Sequence, residues 1–345
     1  MSLRRRNSAL VLALAFVAAC DGKKATPETT VPATASATPS LASPSAPPSP
    51  PVATTVDGDA AVAVTDAKPT WAFDCTDTST PKGGKSIGHT SVVFKLLLSS
   101  GKKAAWKPNA KKVKGRYKGE VAAFRLAEAL GIANVPPACI RVFDARAAAA
   151  VLAQSDEAST LFADEVIVEQ GKVYGALIPW IDGLSFWPIE KEPLRTEARA
   201  WLGAGKPIPA GKSDLARQAS MLVAFDFITG NWDRYSGENV GLDPTGTHVL
   251  FIDSGAAFME GPPRAQLERN KALLGGTDRF SRAFVAGARK LDAERLAAVF
   301  GDEAPGRPLL SSAVTENVAR RIKELVAIVD AKIAARGEAE TLYFR

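Results

Sequence analysis

The chain has 345 residues, is 46% apolar, and carries a formal charge of +6 with only two histidines, His89 and His248, and three cysteines. That is enough apolar material for one large domain or two small ones, and two histidines give poor support to a histidine-rich metal centre or a typical Ser-His-Asp hydrolase. No basic stripe is interleaved with aromatics, so nucleic acid is not an expected partner.

Residues 1–19 read as an address. A basic "LRRR" precedes the apolar "ALVLALAF", which is too short for a membrane span, and the run ends in "VAAC". This resembles the lipobox of bacterial lipoproteins. The resemblance implies cleavage before Cys20, acylation of its thiol, and a lipid-anchored chain in the bacterial cell envelope, on the inner or outer membrane. The alternative is an ordinary signal peptide cut after Ala19. Removing Arg4, Arg5 and Arg6 with this segment leaves a charge of about +3. Residues 20–70 then form a tether. Its stretch Thr29–Val56 has no charge and no aromatic and is rich in Pro, Ser, Thr and Ala. It cannot bury enough apolar surface to offset chain entropy, so it is expected to be disordered. Cys75 and Cys139 remain. An oxidising envelope permits a disulfide between them, and two free thiols are equally open.

The folded part is expected over residues 71–345. Val92–Leu98 forms a buried apolar strand, "SSGKK" a turn, and "AAWKP" a second strand ending at Lys107. "YKGEVAAFRLAEALG" has helical spacing at Val121, Phe124, Leu126 and Leu130, with Gly131 as its stop. "CIRVFD" reads as a strand. "ADEVIVEQGKVYGALIPWIDG" reads as a hairpin turning at "EQGK". From Lys212 onward the pattern is helical. "SDLARQASMLVAFDFITGN" carries Ser213 as its cap; the loop "NWDRYSGENVG" and a strand "THVLFIDSG" follow. Three more helical stretches then close the chain: "RFSRAFVAGARKL", "DAERLAAVFG" and "TENVARRIKELVAIVDAKIAAR". The expected fold class is α+β: a bilobal, protein-kinase-like fold with a strand-rich N-lobe (71–182) and a helical C-lobe (183–345).

Phosphoryl transfer needs few protein groups. A lysine neutralises phosphates and a helix glutamate holds that lysine. One aspartate orients the acceptor hydroxyl, and a second, helped by an amide or carboxylate, holds a metal. The chain offers these in order as Lys107 at a strand end, Glu120 in the first turn of a helix, Asp233 in a turn after a helix, and Asp253 closing a strand. Each alone is an ordinary solvated charge; the ordered set is what points to chemistry.

The segments "AAWKPNAKKVKGRYKGEVAAFRLAEALGIANVPPACIR", "DFITGNWDRYSGENVG" and "FIDSGAAF" resemble the secretory-pathway kinases typified by the Golgi casein kinase and four-jointed. More distantly they resemble phosphatidylinositol-kinase-like and HipA-type kinases. The resemblance spans about Ser86 to Phe258. It implies ATP with Mg²⁺ or Mn²⁺, Lys107 on the phosphates, Glu120 as its partner or a metal ligand, Asp233 as catalytic base and Asp253 on the metal. Asn239 and Glu238 are the two alternatives for the second metal ligand, Asn239 preferred. Ile178 to Ile181, including Trp180, falls where a hinge would face adenine through its backbone. Gly230 and Asn231 shape the turn and Arg234 anchors the loop. The family places histidine after its Asp-Arg, where this chain has Tyr235. A kinase acting on a protein or glycan hydroxyl is the leading reading; a catalytically inactive pseudokinase-like binding lipoprotein is the alternative.

Overall fold

Alternation in the strands and helical spacing elsewhere build a five-stranded antiparallel sheet followed by a helical body in the computed structural model, which describes residues 69–87 and 91–345. The signal segment, Cys20 and nearly all of the expected tether lie outside the described residues. Among the described residues, no helix is long and apolar enough to cross a membrane.

The sheet contains β1 (Pro81–Ser86), β2 (Phe94–Leu98), β3 (Lys103–Pro108), β4 (Cys139–Asp144) and β5 (Lys172–Pro179), in the spatial order β1-β2-β3-β5-β4. Helix α1 (Arg116–Leu130) links β3 to β4. Period-two alternation decides what each face does. Phe94, Leu96, Leu98, Ala104, Trp106, Val173 and Leu177 are buried on one face. That face is covered by α2 (Ala145–Leu152) and α3 (Asp156–Glu165), whose Leu152 and Phe162 join the same cluster. Trp106 is its centre, with ring centroids 5.7 Å from Phe94, 5.1 Å from Phe143 and 6.3 Å from Phe162. Lys95, Ala105 and Lys107 therefore occupy the opposite face.

Two expectations change here. The run "ADEVIV" is not a strand. Its first part ends α3, and Val166 makes only an isolated bridge with Ala110. The turn at "EQGK" is present as a bridge between Glu169 and Lys172, but β5 pairs along its length with β3 and β4, which satisfy the backbone N–H and C=O groups on both of its edges. Ser213 is not a cap either: it is the first residue of its helix, and no side chain caps that terminus.

The rest of the chain contains β6 (Ser185–Phe186), α4 (Leu194–Leu202), α5 (Ser213–Thr229), β7 (Val240–Leu242), β8 (Val249–Phe251), α6 (Arg264–Gly275), α7 (Arg282–Ala288), α8 (Ala293–Phe300), β9 (Asp302–Ala304), β10 (Arg307–Pro308), α9 (Ser312–Arg336) and α10 (Glu338–Thr341). The buried helix α5 is its axis, with α4, α6 and α9 packed around it. α1 belongs to this body's core as well as to the sheet, through Tyr117, Val121, Leu126 and Leu130. Arg125 donates to the carbonyls of Phe300 and Asp302. Tyr117 Oη donates to Glu303 Oε2 at 2.5 Å, and Lys118 lies 3.0 Å from the same carboxylate. α1 is therefore clamped from below as well as above.

Cys75 and Cys139 are joined as a disulfide with a sequence separation of 64. It ties the start of the described region to β4, and closing a loop of that size stabilises the fold by about 4 kcal/mol through the restricted unfolded chain.

Candidate active site

Because Trp106 points into the core, its neighbour Lys107 points away from it. Lys107 Nζ lies 2.5 Å from Glu120 Oε1 and 3.0 Å from Asp253 Oδ1. Glu120 is buried, and its second oxygen accepts the Ser254 N–H at 3.0 Å. One carboxylate thus holds the strand lysine and the backbone beside Asp253. The close approach depends on Gly119. A Cβ there would sit 2.6 Å from the Ser254 carbonyl oxygen, too close for any larger residue without a shift. Asp253 itself takes φ 54°, a left-handed conformation that aspartate tolerates better than most residues. Burial alone would lower the Lys107 amine, but the carboxylates of Asp253 and Glu120 override it and hold the amine above its ordinary value. The Lys107 charge in turn holds the Asp253 carboxyl below the usual range.

The loop carrying Asp233 starts where α5 ends, at Gly230 with φ 65°. Asn231 Oδ1 accepts the Asp233 N–H at 3.2 Å. Among the described residues the Asp233 carboxylate accepts no hydrogen bond, so its oxygens remain free for an incoming donor. Arg234 is the support beneath. Its side chain is fully buried and pairs with Asp226 of α5 at 3.0 Å. It also donates to the Asn239 carbonyl at 2.5 Å and to the Ile252 carbonyl. Burial raises the Asp226 carboxyl and the Arg234 guanidinium opposes that rise. One guanidinium thus fixes the Asp233 loop relative to the strand leading into Asp253.

Asn239 and Glu238, the two alternatives for the second ligand, differ in how the loop holds them. Asn239 is buried, and its Nδ2 donates to the Asp233 carbonyl at 2.8 Å and to Ser236 Oγ at 3.1 Å. Its amide nitrogen is therefore committed to the loop, which leaves Oδ1 as the acceptor. Glu238 is exposed, takes φ 60°, and makes no such bond among the described residues. Among the described residues no group of three or more His, Cys, Asp or Glu side chains gathers as a metal cage. With Asn239 as the second ligand, the donor set would be one carboxylate and one amide oxygen. Such a sparse hard-oxygen set suits a cation shared with substrate phosphates.

Ile178 sits in β5 opposite Ala105, on the Lys107 face. Trp180 follows it, but its N–H donates to the Lys103 carbonyl at 3.0 Å. What Trp180 offers the cleft is its ring, over which Lys95 Nζ lies at 3.7 Å from the centroid.

Three participants escape sequence reasoning. Arg116, in the first turn of α1, lies 5.5 Å from the Trp232 ring and helps lower the Asp253 carboxyl. Asn134 bonds Gln218 Oε1 at 2.9 Å and the Val249 carbonyl at 2.7 Å, docking the loop after α1 onto β8. Asp226 had a readable signal, an acid inside the otherwise apolar run "LVAFDFIT"; the other two had none.

No protein-family model matches the sequence, and no curated protein is significantly similar to it. Solved structures do resemble it. The Golgi casein kinase, crystallised with Mn and ADP bound, superposes with a TM-score of 0.55 at 15% identity, covering 77% of this chain and 76% of that one. The structure of hydra Fam20 with sugar gives a TM-score of 0.54 at 16% identity over 76% of this chain and 88% of that one. At these identities the likeness shows the fold, which is kinase-like.

Proposed function

We propose that this chain is an atypical kinase that transfers the γ-phosphate of ATP to a hydroxyl of a protein or glycan, and that it is held in the bacterial envelope by acylation of Cys20. The observation that carries the enzymatic reading is the continuous link Glu120–Lys107–Asp253, set beside a loop whose Asp233 carboxylate is free and whose Asn239 is bonded back to Asp233. The nucleotide- and Mn-bound state of the similar Golgi enzyme supports the choice of cofactors.

In this reading Lys107 places its ammonium on the nucleotide phosphates, and Glu120 keeps it there. Asp253 and Asn239 would hold Mg²⁺ or Mn²⁺; the ion supplies charge neutralisation at the phosphate oxygens. Asp233 accepts a hydrogen bond from the acceptor hydroxyl and takes its proton as the new O–P bond forms and the bond to the ADP oxygen breaks. Arg116 adds a positive charge on the acceptor side of Asp253. Positioning and electrostatics dominate, since this reaction demands little covalent help from the protein.

The test is Asp233→Asn, which keeps shape and one acceptor oxygen but loses the base. Nucleotide affinity by calorimetry should stay near wild type, while phosphate transfer falls by about 10²–10⁴-fold. A mutant with wild-type turnover would refute the assignment. Nucleotide binding by a wild type that transfers to no protein or glycan would favour a pseudokinase-like binding module. The Lys107–Asp253 ion pair gives that second reading its one support, because it engages the metal-binding carboxylate in advance.

A further inference from the structure

Beside Tyr235 of the Asp233 loop lies a cavity of about 160 Å³ walled by α4, α5, α6 and the loop itself. Three arginines line it, Arg195, Arg199 and Arg269, together with Tyr235; its one carboxylate is Glu190. Nothing in the transfer chemistry accounts for this concentration of guanidinium groups.

Their pairing is incomplete. Arg195 is engaged by Glu192 at 2.6 Å. Arg199 has no hydrogen bond or ion pair among the described residues. Arg269 stacks on the Tyr235 ring at 5.1 Å and donates one Nη to the Trp232 carbonyl at 3.0 Å, but its Nε is buried without a partner. A buried donor left unsatisfied is costly, so a site that keeps one invites an acceptor. The planar guanidinium fork matches the oxygens of a phosphate, and Tyr235 adds a hydroxyl donor. The volume equals roughly five waters at ~30 Å³ each, room for a phosphate group and its immediate substituent but not for a nucleotide.

We infer that this cavity is a second, non-catalytic anion site that binds a phosphate group through Arg199, Arg269 and the Tyr235 hydroxyl. Its position gives it a lever on the loop. Arg269 holds the carbonyl of the residue before Asp233, and Tyr235 lies two residues after it. Occupancy would draw on both contacts and fix the loop. The source is either free phosphate or a phosphate monoester, which share this chemistry.

The inference does not depend on catalysis, so it is tested by binding. The full chain is titrated calorimetrically with inorganic phosphate and, separately, with O-phosphoserine. The proteins are wild type, Lys107→Ala to remove attraction at the nucleotide site, Arg199→Gln, and Arg199→Gln with Arg269→Gln. Binding should persist in Lys107→Ala and weaken about tenfold or more in Arg199→Gln. Arg199 is exposed and can change without unfolding the chain, which keeps the test decisive even if the double variant folds poorly. Tighter binding of O-phosphoserine identifies an esterified ligand, and tighter binding of inorganic phosphate a free one. Absence of millimolar binding in wild type, loss of binding in Lys107→Ala, or equal affinity in wild type and Arg199→Gln would overturn the assignment.

Discussion

Lys107 Nζ and Asp253 Oδ1 stand 3.0 Å apart across 146 residues of chain. Glu120 bridges them from the side, binding the lysine with one oxygen and the Ser254 N–H with the other. In the proposed kinase reading, a nucleotide would meet a lysine already positioned by two carboxylates.

Asp253→Ala removes the carboxylate proposed to face the metal and one of the two partners of Lys107. Ligand binding raises apparent stability by mass action, about 2.7 kcal/mol at a hundred times the dissociation constant. ATP with Mg²⁺ or Mn²⁺ should therefore raise the melting temperature of wild type and raise that of Asp253→Ala far less. Equal shifts in the two proteins would remove Asp253 from the site.

Gly119→Ala adds a single methyl where 2.6 Å separates the built Cβ from the Ser254 oxygen. Overpacking of this kind costs about 1–3 kcal/mol. Here the strain falls on the contact between α1 and the Asp253 segment. Nucleotide affinity should drop along with stability. Gly275→Ala, with no atom within 4 Å of its Cβ, serves as the control and should leave both unchanged. A Gly119→Ala protein that binds nucleotide like wild type would mean the two segments can part freely.

Arg234→Met leaves the Asp226 carboxylate buried without its partner. Breaking a buried pair from one side costs about 3–5 kcal/mol. Urea unfolding should show that loss, and Asp226→Leu combined with Arg234→Met should recover much of it. Phosphate transfer should not recover, because the ties to the Asn239 and Ile252 carbonyls are gone as well. Restored transfer in the double variant would show that Arg234 acts through stability alone.

Asp77 should contribute part of the acid sensitivity of the fold. Its carboxylate is held down to about 2 by the Ser79 hydroxyl and N–H and by Lys102. It accepts the Ser79 N–H at 2.8 Å and lies 3.1 Å from Lys102 Nζ. A lowered value in the folded state means that the stability it contributes is present above the ordinary 3.8 and is lost as pH falls towards about 2. Asp77→Asn should flatten the stability profile between those limits and change the slope little above pH 5. A wild-type slope in the variant would mean that Asp77 contributes nothing to it.

The sequence by itself determined the order of the parts. Alternation around Trp106 sets Lys107 on the face opposite the core. The helical spacing that starts near Glu120, the glycine that ends α5 before Asp233, and the apolar strand that runs into Asp253 are likewise local patterns, legible because period and capping act over a few residues. Local pattern also misled, where "ADEVIV" looked like half of a hairpin. The turn forms, but β5 is paired along both edges by β3 and β4, which leaves no edge for "ADEVIV". Only the tertiary structure decided which groups meet. It bonded Asn239 to the Asp233 carbonyl while leaving Glu238 exposed, joined Cys75 to Cys139, and brought the Arg116 charge close enough to lower the Asp253 carboxyl. It also gathered arginines from α4 and α6 around Tyr235. Such meetings are set by the packing of helices far apart in the chain, and packing leaves no periodic trace in any one of them.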